Sequence, residues 1–135
     1  FFTDVEGKTK DEVLKNLCRK VEQEKGLPET FTASVLKREE LTPTDYGNLV
    51  ALPHPERAFQ ERAFVAVAVL KEPIFWFRQK VQVVFLTAIG REEDENLQQF
   101  YEATTDLILR PADVQNLIRH PDYDRLIQLL RRAEE

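Results

Sequence analysis

The sequence predicts an α/β domain: a central mixed β-sheet with helices packed on both faces. Three observations carry that expectation. Helical periodicity occupies both ends of the chain, two valine-rich apolar runs occupy its middle, and prolines and glycines mark the joins. Two helical segments come first with no strong strand between them, so the sheet is expected to be mixed rather than purely parallel.

Taken in order, Phe1 and Phe2 form either the end of a linker or a short leading strand. Thr9 and Glu12 stand at capping-box spacing, a hydroxyl for a helix amide and a carboxylate reaching back. Val13, Leu14, Leu17, Cys18 and Val21 then share one helical face, and Gly26 ends the helix. Pro28 fits the first turn of a second helix reaching about Glu40, with Phe31, Val35 and Leu36 on its apolar face. Leu41 to Gly47 reads as turn, through Pro43, Asp45 and Gly47. Asn48 to Leu52 reads as a short strand that Pro53 stops.

Ala63 to Leu70 is apolar on both faces, as a central strand would be. Ile74 to Phe77 follows Pro73 as a separate short segment, and Val81 to Ile89 is a second apolar strand closed by Gly90. From Glu92 the period turns helical, with Leu97, Phe100, Tyr101, Thr104, Leu107 and Ile108 on one side. Pro111 and Pro121 can each open a further helix, the second carrying Leu126, Ile127, Leu129 and Leu130.

Composition removes several function classes. At 135 residues the chain suits one domain with one core. No apolar run approaches the roughly 18 residues of a membrane span, so no membrane insertion is expected, and no signal-peptide pattern is visible. The net charge is −5, with arginines scattered among acids, which argues against direct contact with nucleic acid. A single cysteine, Cys18, rules out an internal disulfide and suits a reducing, cytoplasmic setting; its place on an apolar face suits the core. The chain opens at Phe1 and has no methionine, so it is expected to be one domain, residues 1–135, cut from something longer.

Chemistry-bearing residues are few. His54, His120 and Cys18 are too few and too scattered for a zinc site. Phosphate-loop, dinucleotide and nucleophile-elbow motifs are absent. His54 ends the run Gly47-Asn48-Leu49-Val50-Ala51-Leu52-Pro53-His54-Pro55. The two prolines stiffen the backbone around an imidazole whose ordinary titration leaves a ring nitrogen free to attack phosphorus. From these residues alone, a plain loop histidine is the stronger claimant. His120 lies between two helical patterns, where a structural or solvated role is expected. Glu92 to Glu95 reads as an acidic helix start. Phe75, Trp76 and Phe77 alternate along a strand, for packing or for docking a partner.

A resemblance sharpens the choice. Arg38-Glu39, then Thr44, Gly47 and Ala51-Leu52-Pro53-His54 resemble, in order, the active-site stretch of fructose- and mannitol-type enzyme IIA domains of the bacterial sugar phosphotransferase system. The resemblance extends over most of the chain and implies a roughly five-stranded mixed sheet with helices on both faces, and no metal or diffusible cofactor. It also implies that His54 takes phosphate from the phosphocarrier HPr and passes it to a cysteine of an enzyme IIB domain. Arg38 would grip phosphate oxygens, Thr44 would bond the phosphate or orient the ring, and Glu39 would hold Arg38. Transport members usually place a second active-site histidine where this chain has Asn96, which can hydrogen-bond phosphate but cannot take a proton as imidazole does.

Gly47 to Pro55 and Pro73-Ile74-Phe75-Trp76 are more similar to the enzyme IIA-like domains at the C-terminus of BglG-type regulators, which join nucleic-acid-binding modules to PRD domains. The first expectation is therefore a phosphorylatable regulatory domain that signals to other domains of the same regulator chain. A transport phosphocarrier working through a phosphohistidine intermediate and a bare interaction module are the rivals.

Overall fold

Local chemistry starts the first helix where the sequence marks it. Thr9 is extended (φ −125°, ψ 160°), and its hydroxyl accepts the Glu12 amide at the start of α1 (Lys10–Lys25). The Glu12 carboxylate reaches the Lys8 amide at 2.8 Å, one residue outside the cap. Gly26 takes φ 65°, and the Leu27 amide closes onto the Glu22 carbonyl. The computed structural model describes residues 1–92 and 95–134. Of the acidic run at Glu92 to Glu95, Glu93 and Asp94 lie outside the described residues. Helix α2 (Thr30–Leu41) folds back on α1, and Glu22 Oε2 accepts both the amide and the hydroxyl of Thr32.

Two short strands follow, β1 (Asp45–Gly47) and β2 (Val50–Ala51). They form an antiparallel hairpin through Asn48 (φ 50°) and Leu49 (φ 69°). The segment expected to be all turn thus contains a strand. A two-residue hairpin with both central residues left-handed normally announces itself as Asn-Gly, and here leucine stands in the glycine position.

The two segments expected around Pro73 are one strand, β3 (Phe64–Phe75), with an irregular register between Val69 and Ile74. The break is tolerable because β3 is an edge strand, where proline forfeits no ladder bond. The side-chain NH2 of Gln82 donates to the carbonyls of Leu70 and Lys71 there. Strand β4 (Lys80–Ala88) pairs antiparallel with β3 and parallel with β2, giving the mixed order β1-β2-β4-β3. The sheet has four strands rather than the five expected. Joining the Pro73 segment to its predecessor removes one, β1 adds one, and the leading residues contribute a single parallel bridge from Phe2 to Ala68.

Helices α3 (Glu95–Ile108), α4 (Pro111–Arg119) and α5 (Tyr123–Glu134) complete the described chain. Pro111 opens α4 as expected, but Pro121 does not open α5. Asp122 does so, its carboxylate accepting the Arg125 amide at 2.7 Å. Strict alternation then builds two cores. Ala66, Ala68, Leu70, Val84, Leu86 and Ala88 pack with α1 and α2. Val67, Val69, Val83 and Phe85 pack with α3, α4 and α5.

Candidate active site

Because β2 and β4 are parallel, both end on the same edge of the sheet, where open α/β sheets carry their sites. The chain leaves β2 through Pro53, whose carbonyl accepts the Thr87 amide at 2.9 Å, and reaches His54. The imidazole is half-buried between two buried prolines. Its Nδ1 lies 3.3 Å from the Leu52 carbonyl. A carbonyl can only accept, so a hydrogen bond here has Nδ1 as its donor and leaves the lone pair on Nε2.

The segment beside the ring is held by a buried carboxylate. Glu39 is 2% exposed. It accepts the Thr44 amide (2.9 Å), the Thr44 hydroxyl (2.7 Å) and the Trp76 indole N–H (2.6 Å). The expectation that Glu39 holds Arg38 is therefore corrected: position 39 faces inward on the buried stripe with Phe31 and Val35, while position 38 turns outward. Arg38 donates to the Thr42 carbonyl at 3.0 Å, which leaves other donors of its fork for an anion. The single hydroxyl proton of Thr44 is given to Glu39, so in this state it is not offered to a phosphate. Thr44 is nonetheless beside the site, because its carbonyl accepts the Leu52 amide at 3.0 Å.

Other contacts bring α2 to the histidine segment. Ser34 Oγ accepts the Glu56 amide at 2.7 Å, and Arg38 lies one helical turn beyond Ser34. A hollow of about 200 Å³ between these elements is lined by Ser34, Lys37, Glu56 and Arg57.

Asn96 arrives from the other layer. The Asn48 side chain donates to the Ile108 carbonyl, which sets the end of α3 level with the β1–β2 turn. Asn96 is exposed in the first turn of α3, at the other end of that helix. The chain after His54 also crosses directly over Gly90. A Cβ on Gly90 would lie 2.3 Å from the Glu61 carbonyl oxygen and 2.6 Å from the Ala63 nitrogen. The side chain of Gln60 donates to the Ile89 carbonyl at 3.0 Å across the same crossing.

The remaining candidates stand apart. His120 caps the end of α4 and is exposed. Cys18 is buried in α1, and burial first, then the charge of Glu22, pushes its thiol up to about 12 against a hydrogen bond to Thr32. No cluster that could hold a metal occurs among the described residues. Trp76 is buried, and Phe75 and Phe77 beside it are exposed. The sequence reading took Trp76 for packing or docking and missed its bond to Glu39. The available signal was the alternation that turns residue 76 inward, where an indole N–H needs an acceptor.

A family model for the phosphoenolpyruvate-dependent sugar phosphotransferase system, EIIA 2, matches residues 1–133. The chain belongs to this family. This EIIA 2 domain is 36% identical over 119 residues to a Bacillus subtilis (strain 168) protein described as "Probable licABCH operon regulator", covering 88% of this chain and 19% of that protein. It is 32% identical over 97 residues to the transcriptional regulator ManR of the same organism, covering 71% and 15%. The domain thus spans about a fifth, or less, of the length of these regulators. Its fold is that of the crystal structure of IIA mannitol from Escherichia coli, with TM-score 0.76 at 19% identity over 96% of this chain and 94% of that one. The complex of enzyme IIAMTL with phosphorylated enzyme IIBMTL from Escherichia coli matches with TM-score 0.77 at 18% identity, over 96% and 92%.

Proposed function

We propose that this EIIA domain accepts a phosphoryl group on Nε2 of His54, from phospho-HPr or an enzyme IIB domain, and thereby regulates a sugar-operon transcription factor of BglG type. The observation that carries the reading is the Nδ1 contact with the Leu52 carbonyl. It supports the tautomer in which Nε2 keeps its lone pair and serves as the nucleophile. The Nε2 lone pair forms the new bond to phosphorus while the bond from phosphorus to the donor's nitrogen or sulfur breaks in line. Positive charge then delivered to the ring is steadied by the Leu52 carbonyl through the Nδ1 proton. Arg38 supplies a planar fork for phosphoryl oxygens, and Asn96 a further amide donor from α3.

Two features favour regulation. The relatives above 30% identity are described as regulators. Asparagine instead of imidazole at position 96 suits a phosphate that stays and signals more than one handed on at speed. In a regulator of that kind the added charge alters contacts with the other domains of the same chain. No described helix is long and apolar enough to cross a membrane.

The test is to incubate the domain with phosphoenolpyruvate, enzyme I and HPr. Acid-labile phosphate should appear and should be lost in His54→Ala. Label that persists in His54→Ala, or an unlabelled wild type beside a working control, overturns the reading. A transport role is the second reading, favoured by 24% identity over 133 residues to multiphosphoryl transfer protein 1 of Escherichia coli (strain K12). Rapid movement of the label to the thiol of an added enzyme IIB domain would select it.

A further inference from the structure

The β3–β4 turn is joined to the phosphoacceptor by an unbroken run of hydrogen bonds. The indole N–H of Trp76 donates to Glu39 Oε1 at 2.6 Å. Glu39 holds the amide and the hydroxyl of Thr44. The Thr44 carbonyl accepts the Leu52 amide at 3.0 Å, and the Leu52 carbonyl lies 3.3 Å from His54 Nδ1. Both ends of the inner segment are buried: Trp76 is 4% exposed and Glu39 2%. A buried carboxylate sits where its donors direct it, because no water competes for its oxygens. Oε1 is shared between the indole and the Thr44 amide, so the indole fixes the angle from which the carboxylate meets Thr44.

We propose that Trp76 is a positioning residue for the His54 site, acting through Glu39 and Thr44 on the carbonyl that sets the ring's tautomer and tilt. The proposal rests on the phosphoacceptor reading above. Packing alone does not require the N–H: a ring of the same shape without it would fill the same space in the α1–α2 core. The chemistry does require it. Without the indole donor the carboxylate turns toward water or toward the two Thr44 donors, and Thr44, Leu52 and the imidazole shift with it. Small displacements at a reacting nitrogen are costly in rate while leaving the docking surface unchanged.

The experiment replaces Trp76 with β-(3-benzothienyl)alanine, an isostere with sulfur in place of the N–H, and in parallel makes Glu39→Gln. Phosphorylation by phospho-HPr is followed in single turnovers across HPr concentrations. The isostere should lower the saturating rate about ten-fold and leave the half-saturating HPr concentration and the thermal midpoint near wild type. Glu39→Gln should lower the same rate. An isostere that folds and is phosphorylated at the wild-type rate overturns the proposal and leaves His54 as phosphoacceptor. Should the isostere not fold, a wild-type rate in Glu39→Gln overturns it instead. A wild type that takes no phosphate overturns the phosphoacceptor reading, and this proposal with it.

Discussion

The two faces of the sheet are built on different principles. On the α1–α2 face the core contains a carboxylate and an indole N–H, and their bonds lead to the histidine. On the α3–α5 face it is mostly valine, leucine, isoleucine, phenylalanine and alanine, with Thr104 and Asp113 as its buried polar residues and Arg110 joining Asp113 and the Leu129 carbonyl. An apolar core asks for volume and pattern, and many side chains satisfy it. A buried polar network asks for particular atoms at particular distances, and each loss is felt by every member. One face therefore supplies stability, and the other couples stability to chemistry.

Substitution on each face is the sharpest way to break that contrast. Glu39→Ala leaves the Thr44 amide, the Thr44 hydroxyl and the Trp76 indole without their acceptor. It should cost about 3 kcal/mol of stability and also abolish efficient phosphorylation at temperatures where the variant is folded. Leu117→Ala, at a fully buried position of α4, should cost a similar amount, about 3 kcal/mol, with its phosphorylation rate unchanged below its melting transition. Urea unfolding beside label incorporation checks both. If the two variants lose phosphorylation in step with stability, the division of labour is wrong.

Gly90→Ala attacks the seam where the chain after His54 crosses the exit of β4. Its Cβ would meet backbone rather than a yielding side chain, so the crossing segment must move. A loss of about 2 kcal/mol is expected, with slower phosphorylation. A variant of wild-type stability and rate would show the seam to be loose.

Arg38→Ala removes a half-buried guanidinium whose described bond is to a helix-terminal carbonyl. Stability should change by no more than about 0.5 kcal/mol. Phosphorylation should slow by about ten-fold to a hundred-fold, and Arg38→Lys should recover only part of it, because ammonium lacks the planar fork. An unchanged rate removes Arg38 from the site.

How much of this was legible follows the same division. The apolar runs Ala63 to Leu70 and Val81 to Ile89 placed the sheet, because buried strands are written in side-chain type, but the first of them was expected at the centre and lies at the edge, since strand order is set by pairing that no local run encodes. The capping of α1 and the opening of α4 were legible for a similar local reason. The β1–β2 hairpin was not, because Leu49 occupies a left-handed position that its side chain does not advertise. Nor was the union of two segments into β3, since Pro73 reads as a boundary unless the strand is known to lie at an edge. In the site, the proline-flanked histidine and its neighbours in sequence were visible as a motif. The partner of Glu39 was not. Trp76 lies far away in the chain and meets Glu39 only after β3 has paired and turned its indole inward, and no local pattern encodes that contact.

Asn96→His carries the smallest expected effect and tests the contrast from the other side, since it adds chemistry to the face that lacks it. Position 96 is exposed in the first turn of α3, so the exchange should alter stability by less than about 0.5 kcal/mol. A protonated ring there is mildly opposed by the helix dipole, so the imidazole should stay largely neutral and available as a proton carrier. If the family resemblance at position 96 holds, the imidazole could support charge on a phosphoryl group leaving for an enzyme IIB thiol. Acid–base support of this kind is worth two or more powers of ten when placed well. A side chain not shaped for the task should gain far less, about three-fold in the rate at which label leaves His54. The measurement is the decay of phosphohistidine after an enzyme IIB domain is added. Equal decay in both proteins would mean that position 96 does not limit transfer and that whatever holds phosphate on this domain lies on the α1–α2 side.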